Sequence, residues 1–311
     1  MSATTDQPGA TSRFFKLTSQ DGYVLGAIRY PTKHAPLRGR VVVAGALGIS
    51  QGFYRRFARF AAARGFETLT FDYRGIGHSR PPSLRRFRMD CLDWGRQDLA
   101  AAVDAAARDD VPVYVVGHCY GGVAFGLLPN HHKVAGFYVF GAGTSWHGWM
   151  PPKERVHALV LRGFVLPLLT AWKGYCPWKM LSSGEDLPID AYRQCRRWCR
   201  FPHFFFDDPR MRGIEQQYAQ IRTPMVAANS LDDVWALPPS RNALLKGYRN
   251  APIIRKDLEP SLETGKIGHM GYFRPSSGTL WHDVLTWFAS LQSAASEGQP
   301  AGAQIDGAMS R

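Results

Sequence analysis

The sequence lacks several features that mark whole classes of protein. Its five cysteines are an odd number and include no C-x-x-C pair, so neither a disulfide framework nor a zinc site is indicated, and reduced thiols in the cytoplasm fit better. The first residues have no basic start followed by an apolar core, so no secretory signal is predicted. Gly75 and Gly77 lack the third glycine of a dinucleotide-binding fingerprint. We therefore expect a cytoplasmic protein with no bound metal and no cofactor.

Long apolar runs are missing as well. The most apolar stretch covers residues 158–172, and it is interrupted by Arg162, Gly163 and Pro167. At that length it is too short to span a bilayer, so it predicts a buried or membrane-touching helix and no stable membrane span.

Acidic residues are in the minority. The chain has 25 Asp and Glu against 38 Lys and Arg, which gives a formal net charge of +13. The basic residues are spread along the chain, and their local clusters at 85–88 and 193–200 are typical of a solvated face, so no nucleic-acid partner is predicted. An anionic small molecule, such as an acyl group carried by coenzyme A or a carrier protein, remains compatible with this charge.

The chain does contain a buried strand that turns sharply into a helix, at residues 112–122. Four β-forming residues lead to Gly117, and Cys119 is followed by Gly121. The resulting G-x-C-x-G pattern is the nucleophile-elbow pattern with sulfur in place of the serine hydroxyl. The positive end of the following helix favours the thiolate form of Cys119. A buried, unreactive cysteine has the same local pattern, so the hypothesis of a nucleophile depends on finding its partners elsewhere.

Strands and helices alternate on both sides of this elbow. The first two strands pair antiparallel around a turn at 19–22, and the helical crossovers between later strands predict parallel pairing, hence a doubly wound α/β sheet. Predicted strands cover 14–17, 24–30, 40–44, 67–72, 112–117, 135–142, 225–229 and 252–256, and predicted helices cover 51–64, 91–107, a segment after Cys119, 239–247 and 279–291.

The alternation breaks between residues 145 and 213, a stretch rich in tryptophan, cysteine and proline. We interpret 145–213 as an inserted helical cap over the strand ends, with 13–144 and 214–291 forming the α/β core. The aromatic residues of the cap predict an apolar pocket for an acyl chain. Residues 1–12 are predicted to be flexible, and the small, polar residues 292–311 are predicted to be disordered.

A nucleophile elbow goes with the chain order nucleophile, acid, base. His269 lies between glycines in the loop after the last strand, where the base belongs, and Asp233 follows the strand before it, with Asp232 as second choice for the acid. His118 adjoins Cys119, but strand geometry directs its side chain to the other side, so we interpret it as structural. Solvent exposure is the simplest interpretation of the remaining candidate bases, His131, His132 and His203.

The oxyanion formed on attack needs backbone N–H donors. Tyr120 follows the nucleophile and supplies the first donor, and the turn after strand 40–44 supplies the second. Its sequence, Gly45-Ala46-Leu47-Gly48, favours Ala46. Ala44 stands where such turns commonly have a histidine that braces the loop.

With these features, the chain resembles the α/β-hydrolase superfamily over nearly its whole length, which implies an α/β-hydrolase fold. The motifs that carry this resemblance are 71–79 (D-Y-R-G-I-G-H-S preceded by Phe71), the elbow 117–122 and Gly268-His269. More narrowly, the chain is similar to a bacterial group described as predicted α/β hydrolases at 54–58, 72–77, 184–188 and 198–200. That group usually has serine at the elbow, whereas polyhydroxyalkanoate synthases and dienelactone hydrolases have cysteine there.

The resemblance implies an acyl-transfer enzyme of hydrolase type that acts on an ester or thioester through Cys119, His269 and Asp233. An acyltransferase or condensing enzyme that passes the acyl group to an amine or alcohol is the alternative within the same chemistry. A binding protein that kept the fold but lost activity is the alternative from another class, because a fold does not determine function.

Overall fold

The computed structural model describes residues 11–182 and 184–296, and its centre is an eight-stranded sheet. The strand order across the sheet is β1-β2-β4-β3-β5-β6-β7-β8. Their bounds are β1 Arg13–Thr18, β2 Val24–Tyr30, β3 Gly39–Ala44, β4 Phe66–Phe71, β5 Val113–His118, β6 Val134–Phe140, β7 Met225–Ser230 and β8 Ile253–Leu258. Strand β2 pairs antiparallel with β1 and β4. The other six strands, β3 to β8, run parallel to one another. This arrangement confirms the predicted doubly wound sheet.

Helices cover both faces of the sheet, because successive side chains of a strand point to opposite faces. In β3, Val41 and Val43 join one apolar cluster, whereas Val42 and Ala44 join another. The helices in the described part of the chain are α1 Arg55–Ala62, α2 Ala100–Ala106, α3 Tyr120–Gly126, α4 Pro152–Val160, α5 Leu166–Lys173, α6 Ile189–Trp198, α7 Ile214–Ala219, α8 Pro238–Leu245 and α9 Gly278–Ser296. The central strands are therefore buried on both sides, which explains their continuous runs of β-branched residues.

The described part of 145–213, predicted as the cap, contains helices α4, α5 and α6 and contributes no strand to the sheet. The prediction that residues from 292 onward are disordered is wrong for 292–296, because α9 continues to Ser296. The corresponding predictions for 1–10 and 297–311 lie outside the described residues.

The apolar run of the cap belongs to a longer helix than its sequence suggests. Helices α4 and α5 join through a π-helical turn, Leu161–Val165, into one helix of 22 residues, Pro152–Lys173. In that turn the Leu166 N–H donates to the carbonyl of Leu161, five residues back, and the helix passes Arg162 and Pro167 without ending. By length and composition alone, with a mean hydropathy of 1.3, this helix could cross a membrane. The run 158–172 is therefore part of a helix longer than the run itself, and the absence of a stable membrane span stays a prediction.

The loop after β4 is held by buried charges. The Asp72 carboxylate accepts hydrogen bonds from the Gln51 N–H at 2.7 Å and the His78 N–H at 2.9 Å. Arg74 is buried and bonds to Asp98 at 2.7 Å and to Asp21 at 2.6 Å. Burial raises the pKa of Asp98 to about 6 although Arg74 opposes this. The 71–79 motif thus has a structural role, which is to attach the end of β4 to its neighbours.

Candidate active site

Cys119 lies at the tip of the turn between β5 and α3, with φ 52° and ψ −106°. A left-handed φ is strained for a non-glycine residue, and such strain concentrates at functional sites. The Cys119 N–H donates to the Phe140 carbonyl at 2.9 Å, which ties the turn to the neighbouring strand. The side chain is partly exposed, so a substrate can reach it. This is the conformation that the G-x-C-x-G pattern predicts.

Both glycines of the pattern are required by close packing. A Cβ on Gly121 would lie 2.2 Å from the Ala44 carbonyl oxygen, and one on Gly117 would lie 2.8 Å from the Phe137 ring. Neither approach is possible for a real side chain, and the carbonyl of Ala44 belongs to the central strand β3. The glycines therefore let α3 start directly against the sheet, which brings Cys119 next to the end of β3.

His269 and Asp233 come together as predicted for the base and the acid. The His269 Nδ1 lies 2.9 Å from one carboxylate oxygen of Asp233 and 3.0 Å from the other. Asp233 is fully buried and also accepts hydrogen bonds from the Tyr272 hydroxyl at 2.9 Å and the Trp235 N–H at 3.1 Å. These donors hold the carboxylate in place and compensate for its burial. Because Asp233 occupies Nδ1, Nε2 is the ring nitrogen left for Cys119.

Asp232 has a different task. Its carboxylate accepts hydrogen bonds from the backbone N–H groups of Ile267 at 3.0 Å and Gly268 at 2.7 Å, and from the Ser230 hydroxyl at 2.6 Å. It therefore fastens the loop that carries His269, but it does not contact the imidazole. The geometry favours Asp233 over Asp232 as the partner of His269.

The protonation of His269 depends on both Cys119 and Asp233. Burial lowers the pKa of its imidazole, but the charges of Cys119 and Asp233 and its hydrogen bonds with both residues outweigh burial and raise the pKa well above the usual value. The raised pKa means that Cys119 and Asp233 stabilise the imidazolium form of His269.

The predicted oxyanion donor Ala46 is already in use. Its N–H donates to the hydroxyl of Tyr54 at 2.7 Å, so the prediction that this N–H is free for an oxyanion is wrong in this structure. Within the described residues, the next N–H of the turn, on Leu47, has no hydrogen-bond partner. The N–H of Tyr120 opens helix α3 and has no acceptor within the helix. Leu47 and Tyr120 are thus the available donors.

His118 and Tyr54 connect the two loops of the site. The His118 Nε2 lies 2.8 Å from the backbone carbonyl of His269, which can only accept, so Nε2 carries the proton and Nδ1 accepts from the Tyr54 hydroxyl at 3.0 Å. Burial and the neighbouring His269 lower the pKa of His118 to about 3, so its ring is neutral. A chain of hydrogen bonds thereby runs from the Ala46 turn through Tyr54 and His118 to the base loop.

Sequence reasoning assigned His118 a structural role but missed Tyr54. The available signal was a tyrosine in the 54–58 motif at the start of the apolar helix α1, where a buried hydroxyl requires a partner. Tyr54 braces the turn from which the usual histidine is missing at Ala44. Of the other histidines, His132 is exposed, whereas His131 and His203 are half-buried, which corrects the prediction for these two.

Replacing Tyr54 with phenylalanine is expected to lower the free energy of unfolding by about 1–3 kcal/mol, because it leaves the buried Ala46 N–H and His118 Nδ1 without partners. Urea denaturation followed by circular dichroism measures the change. Tyr73→Phe is the matched control, since the buried Tyr73 hydroxyl has no hydrogen-bond partner among the described residues. Equal stability of the two variants would contradict the proposed bracing role.

The cap contacts the same turn from above. The Glu185 N–H donates to the Gly48 carbonyl at 2.7 Å, so the 184–188 motif stabilises the turn that carries Leu47. Not all of the aromatic residues of the cap face a pocket: Trp198 packs against Phe204 and Phe205, and Trp172 is 66% exposed. Trp198 and Trp172 thus give no support to the acyl pocket predicted from the aromatic residues of the cap, and that pocket stays a prediction.

A sheet in this strand order, with a strand-to-helix elbow after β5 and a histidine loop after β8, defines the α/β-hydrolase fold. The chain belongs to the alpha/beta hydrolase family, whose sequence model matches residues 41–295. Among proteins with curated descriptions, no significant match to the sequence was found.

Solved structures share this fold at low sequence identity. A soluble variant of monoglyceride lipase from Saccharomyces cerevisiae, in complex with a substrate analog, is 15% identical with a TM-score of 0.66, covering 92% of this chain and 97% of the lipase. The α/β hydrolase GrgF from Penicillium sp. sh18 is 15% identical with a TM-score of 0.62, covering 91% and 100%. A putative aryl esterase from Burkholderia cenocepacia is 15% identical with a TM-score of 0.57, covering 90% and 100%.

Proposed function

We propose that this protein is a hydrolase of esters or thioesters that uses Cys119 as its nucleophile, His269 as its base and Asp233 as the residue that orients His269. The observation that carries the proposal is the constellation of three parts. Cys119 has the strained elbow conformation, His269 has a raised pKa beside it, and the buried Asp233 accepts from the Nδ1 of His269 at 2.9 Å.

In the first step, the thiolate of Cys119 attacks the carbonyl carbon, and the electron pair of the C=O bond moves to its oxygen. The N–H groups of Leu47 and Tyr120 donate to this oxyanion. When the tetrahedral intermediate collapses, the bond to the leaving group breaks and the imidazolium of His269 gives the departing oxygen or sulfur a proton. The products are an acyl thioester on Cys119 and a free alcohol or thiol.

In the second step, His269 takes a proton from a water molecule while the oxygen of that water attacks the carbonyl carbon of the acyl thioester. When this intermediate collapses, the C–S bond breaks, its electron pair returns to the sulfur of Cys119, and a carboxylic acid is released. Asp233 stays ionised throughout, because its task is to hold the imidazole and to stabilise the imidazolium. An amine or alcohol in place of water would turn the same step into acyl transfer.

The neighbours in solved structures support the substrate class. Two of them are named as a monoglyceride lipase and a putative aryl esterase, and both names refer to carboxylic esters. An acyl group on coenzyme A or a carrier protein needs free cations, and the basic stretch 193–200 has fewer of them than its sequence suggests. Arg196 donates to the Arg162 carbonyl at 2.6 Å and Arg197 pairs with Asp208 at 2.5 Å, which leaves Arg193 and Arg200 exposed.

Incubation with a panel of esters and thioesters of increasing chain length, followed by intact-mass measurement, tests the proposal. We expect an acyl adduct on the wild-type protein, or release of alcohol or thiol, and neither with Cys119→Ala. If the adduct accumulates in buffer and disappears only after an amine or alcohol is added, the reaction is acyl transfer and not hydrolysis. No adduct and no turnover across the panel would favour a binding protein on the same fold.

A further inference from the structure

The helix Pro152–Lys173 of the cap has an apolar face that nothing in the described chain covers. Large apolar side chains recur at every fourth residue along it and are about half to nearly three-quarters exposed; they are Val156 62%, Val160 48%, Phe164 69%, Leu168 71% and Trp172 66%. Such a contiguous row is more apolar surface than solvent-facing helices normally show. We call these five residues the outer row.

A second row, offset by two residues, attaches the helix to the protein. Ala158, Leu166 and Thr170 are buried, with 1–4% of each residue exposed. Between them, Arg162 donates to the Ser145 carbonyl at 2.7 Å. The second row therefore attaches the helix to the fold along one side, and the outer row lies on the side that the fold leaves exposed.

The π-helical turn Leu161–Val165 explains why both rows keep their faces over the whole length. In a regular α-helix, residues four apart drift around the axis by about 40° per step, because one turn takes 3.6 residues. The π-helical turn holds more residues than an α-turn, so it compensates part of this drift. The outer row consequently remains on one side of the helix.

Basic residues surround the outer row at both ends. Lys153 and Arg155 lie in the first turns of the helix and are exposed, and the Lys173 ammonium lies 3.9 Å above the Trp172 ring at the other end. Arg85 lies beside Gly174, where a Cβ would be 3.4 Å from its side chain. The only acidic residue of this helix is Glu154. The charge around the row thus matches the sign of the whole chain, +13.

We propose that the outer row is a docking surface for an anionic phospholipid bilayer, on which the helix lies parallel to the membrane. An apolar face with lysine and arginine at its borders is the pattern of an interfacial helix, since the apolar side chains enter the acyl region and the cations meet anionic headgroups.

Two other occupants fit the observations less well. A second copy of the chain would bring the same cations at both ends of the helix against one another, and that repulsion opposes pairing. A transmembrane span would have to pull the buried row out of the fold and would carry Arg162 into the hydrocarbon. A lipid surface covers the outer row while the second row (Ala158, Leu166 and Thr170) stays packed against the fold.

The attached side of the same helix, opposite the outer row, adjoins the candidate active site. The guanidinium of Arg162 lies 5.1 Å from the centre of the Trp235 ring, and the backbone N–H of Trp235 donates to the Asp233 carboxylate at 3.1 Å. In a protein that is bound to a bilayer through the outer row, only this helix therefore separates the candidate active site from the lipid. The docking surface itself does not depend on the proposed catalytic function.

Sedimentation with vesicles tests this proposal on the full chain. One set of vesicles contains phosphatidylcholine alone and the other contains equal parts of phosphatidylcholine and phosphatidylglycerol. We expect the wild-type protein to bind the anionic vesicles about tenfold or more tightly than the neutral ones, and added salt to weaken the binding. We expect Phe164→Gln combined with Leu168→Gln to weaken binding by about tenfold or more.

The matched control is Phe14→Gln combined with Leu262→Gln, which removes one exposed phenylalanine and one exposed leucine far from the helix in sequence. Its binding should equal that of the wild type. All three proteins should hydrolyse a soluble short-chain ester equally without vesicles, so a failure of docking is distinguishable from a failure of the hydrolase proposal. Unfolding curves verify that each variant is folded.

Several results would overturn the proposal. The proposal is contradicted if the wild-type protein does not bind the vesicles, or if both double variants lose vesicle binding to the same extent. A dimer in light scattering that dissociates only with Phe164→Gln and Leu168→Gln would assign the outer row to a second copy. Bound protein that resists alkaline carbonate extraction would indicate a membrane span instead.

Discussion

Replacing Cys119 with alanine is expected to reduce kcat/KM for an ester or thioester by about 10⁴-fold or more, because it removes the nucleophile on which both steps depend. Cys199→Ala is the matched control: Cys199 is also partly exposed, but no hydrogen bond connects it to His269 or Asp233 within the described residues. Steady-state kinetics on purified proteins measure both changes. Retention of activity within about tenfold in Cys119→Ala would contradict covalent catalysis at this residue.

Replacing Asp233 with asparagine is expected to lower kcat by about 10³–10⁴-fold with little change in KM. The asparagine amide would present either a donor to the Nδ1 of His269 or a neutral acceptor, so the imidazole would lose its preferred tautomer and the imidazolium its counter-charge. The fold should survive, because asparagine has nearly the same shape as aspartate.

Asp232→Asn is the comparison that separates the two candidates for the acid. Its amide oxygen can still accept from one of the backbone N–H groups of Ile267 and Gly268. We therefore expect a kcat loss of about tenfold together with a lower midpoint of thermal unfolding, since the loop that carries His269 is less firmly held. A larger kcat loss for Asp232→Asn than for Asp233→Asn would reverse the assignment.

The elbow conformation at Cys119 is predictable from sequence because it depends on residues that are close in the chain. The strand, the two glycines and the helix of the elbow follow one another within 112–126. The β-branched side chains favour the strand, and the lack of a Cβ on the glycines permits the sharp turn. A Cβ at Gly121 would collide with Ala44, so the pattern leaves the turn little choice. The same locality explains why the strand bounds 24–30 are predicted without error.

The choice between Asp232 and Asp233 is not local. The two residues are adjacent, and both follow β7, so spacing alone leaves them nearly equal. The distinction arises from the loop after β8, which offers its imidazole to Asp233 and its backbone N–H groups to Asp232. Only folding brings that loop, more than 30 residues later in the chain, against the end of β7.

The error at Ala46 has the same origin. A turn after β3 predicts a free N–H, but the hydroxyl of Tyr54 reaches it across the site, and its own proton goes to His118. A hydrogen-bond donor pairs with an acceptor that lies close to it in space, and the sequence does not show which acceptor that is.

Periodicity and glycine spacing act over a few residues, so they were enough to predict the class of fold and to place Cys119 at an elbow and His269 in the loop after the last strand. The tertiary structure alone decided which aspartate holds His269, which N–H groups remain free for an oxyanion, and which side of the cap helix stays uncovered. These three depend on contacts between distant segments, and such contacts exist only once burial of the apolar core has brought the segments together.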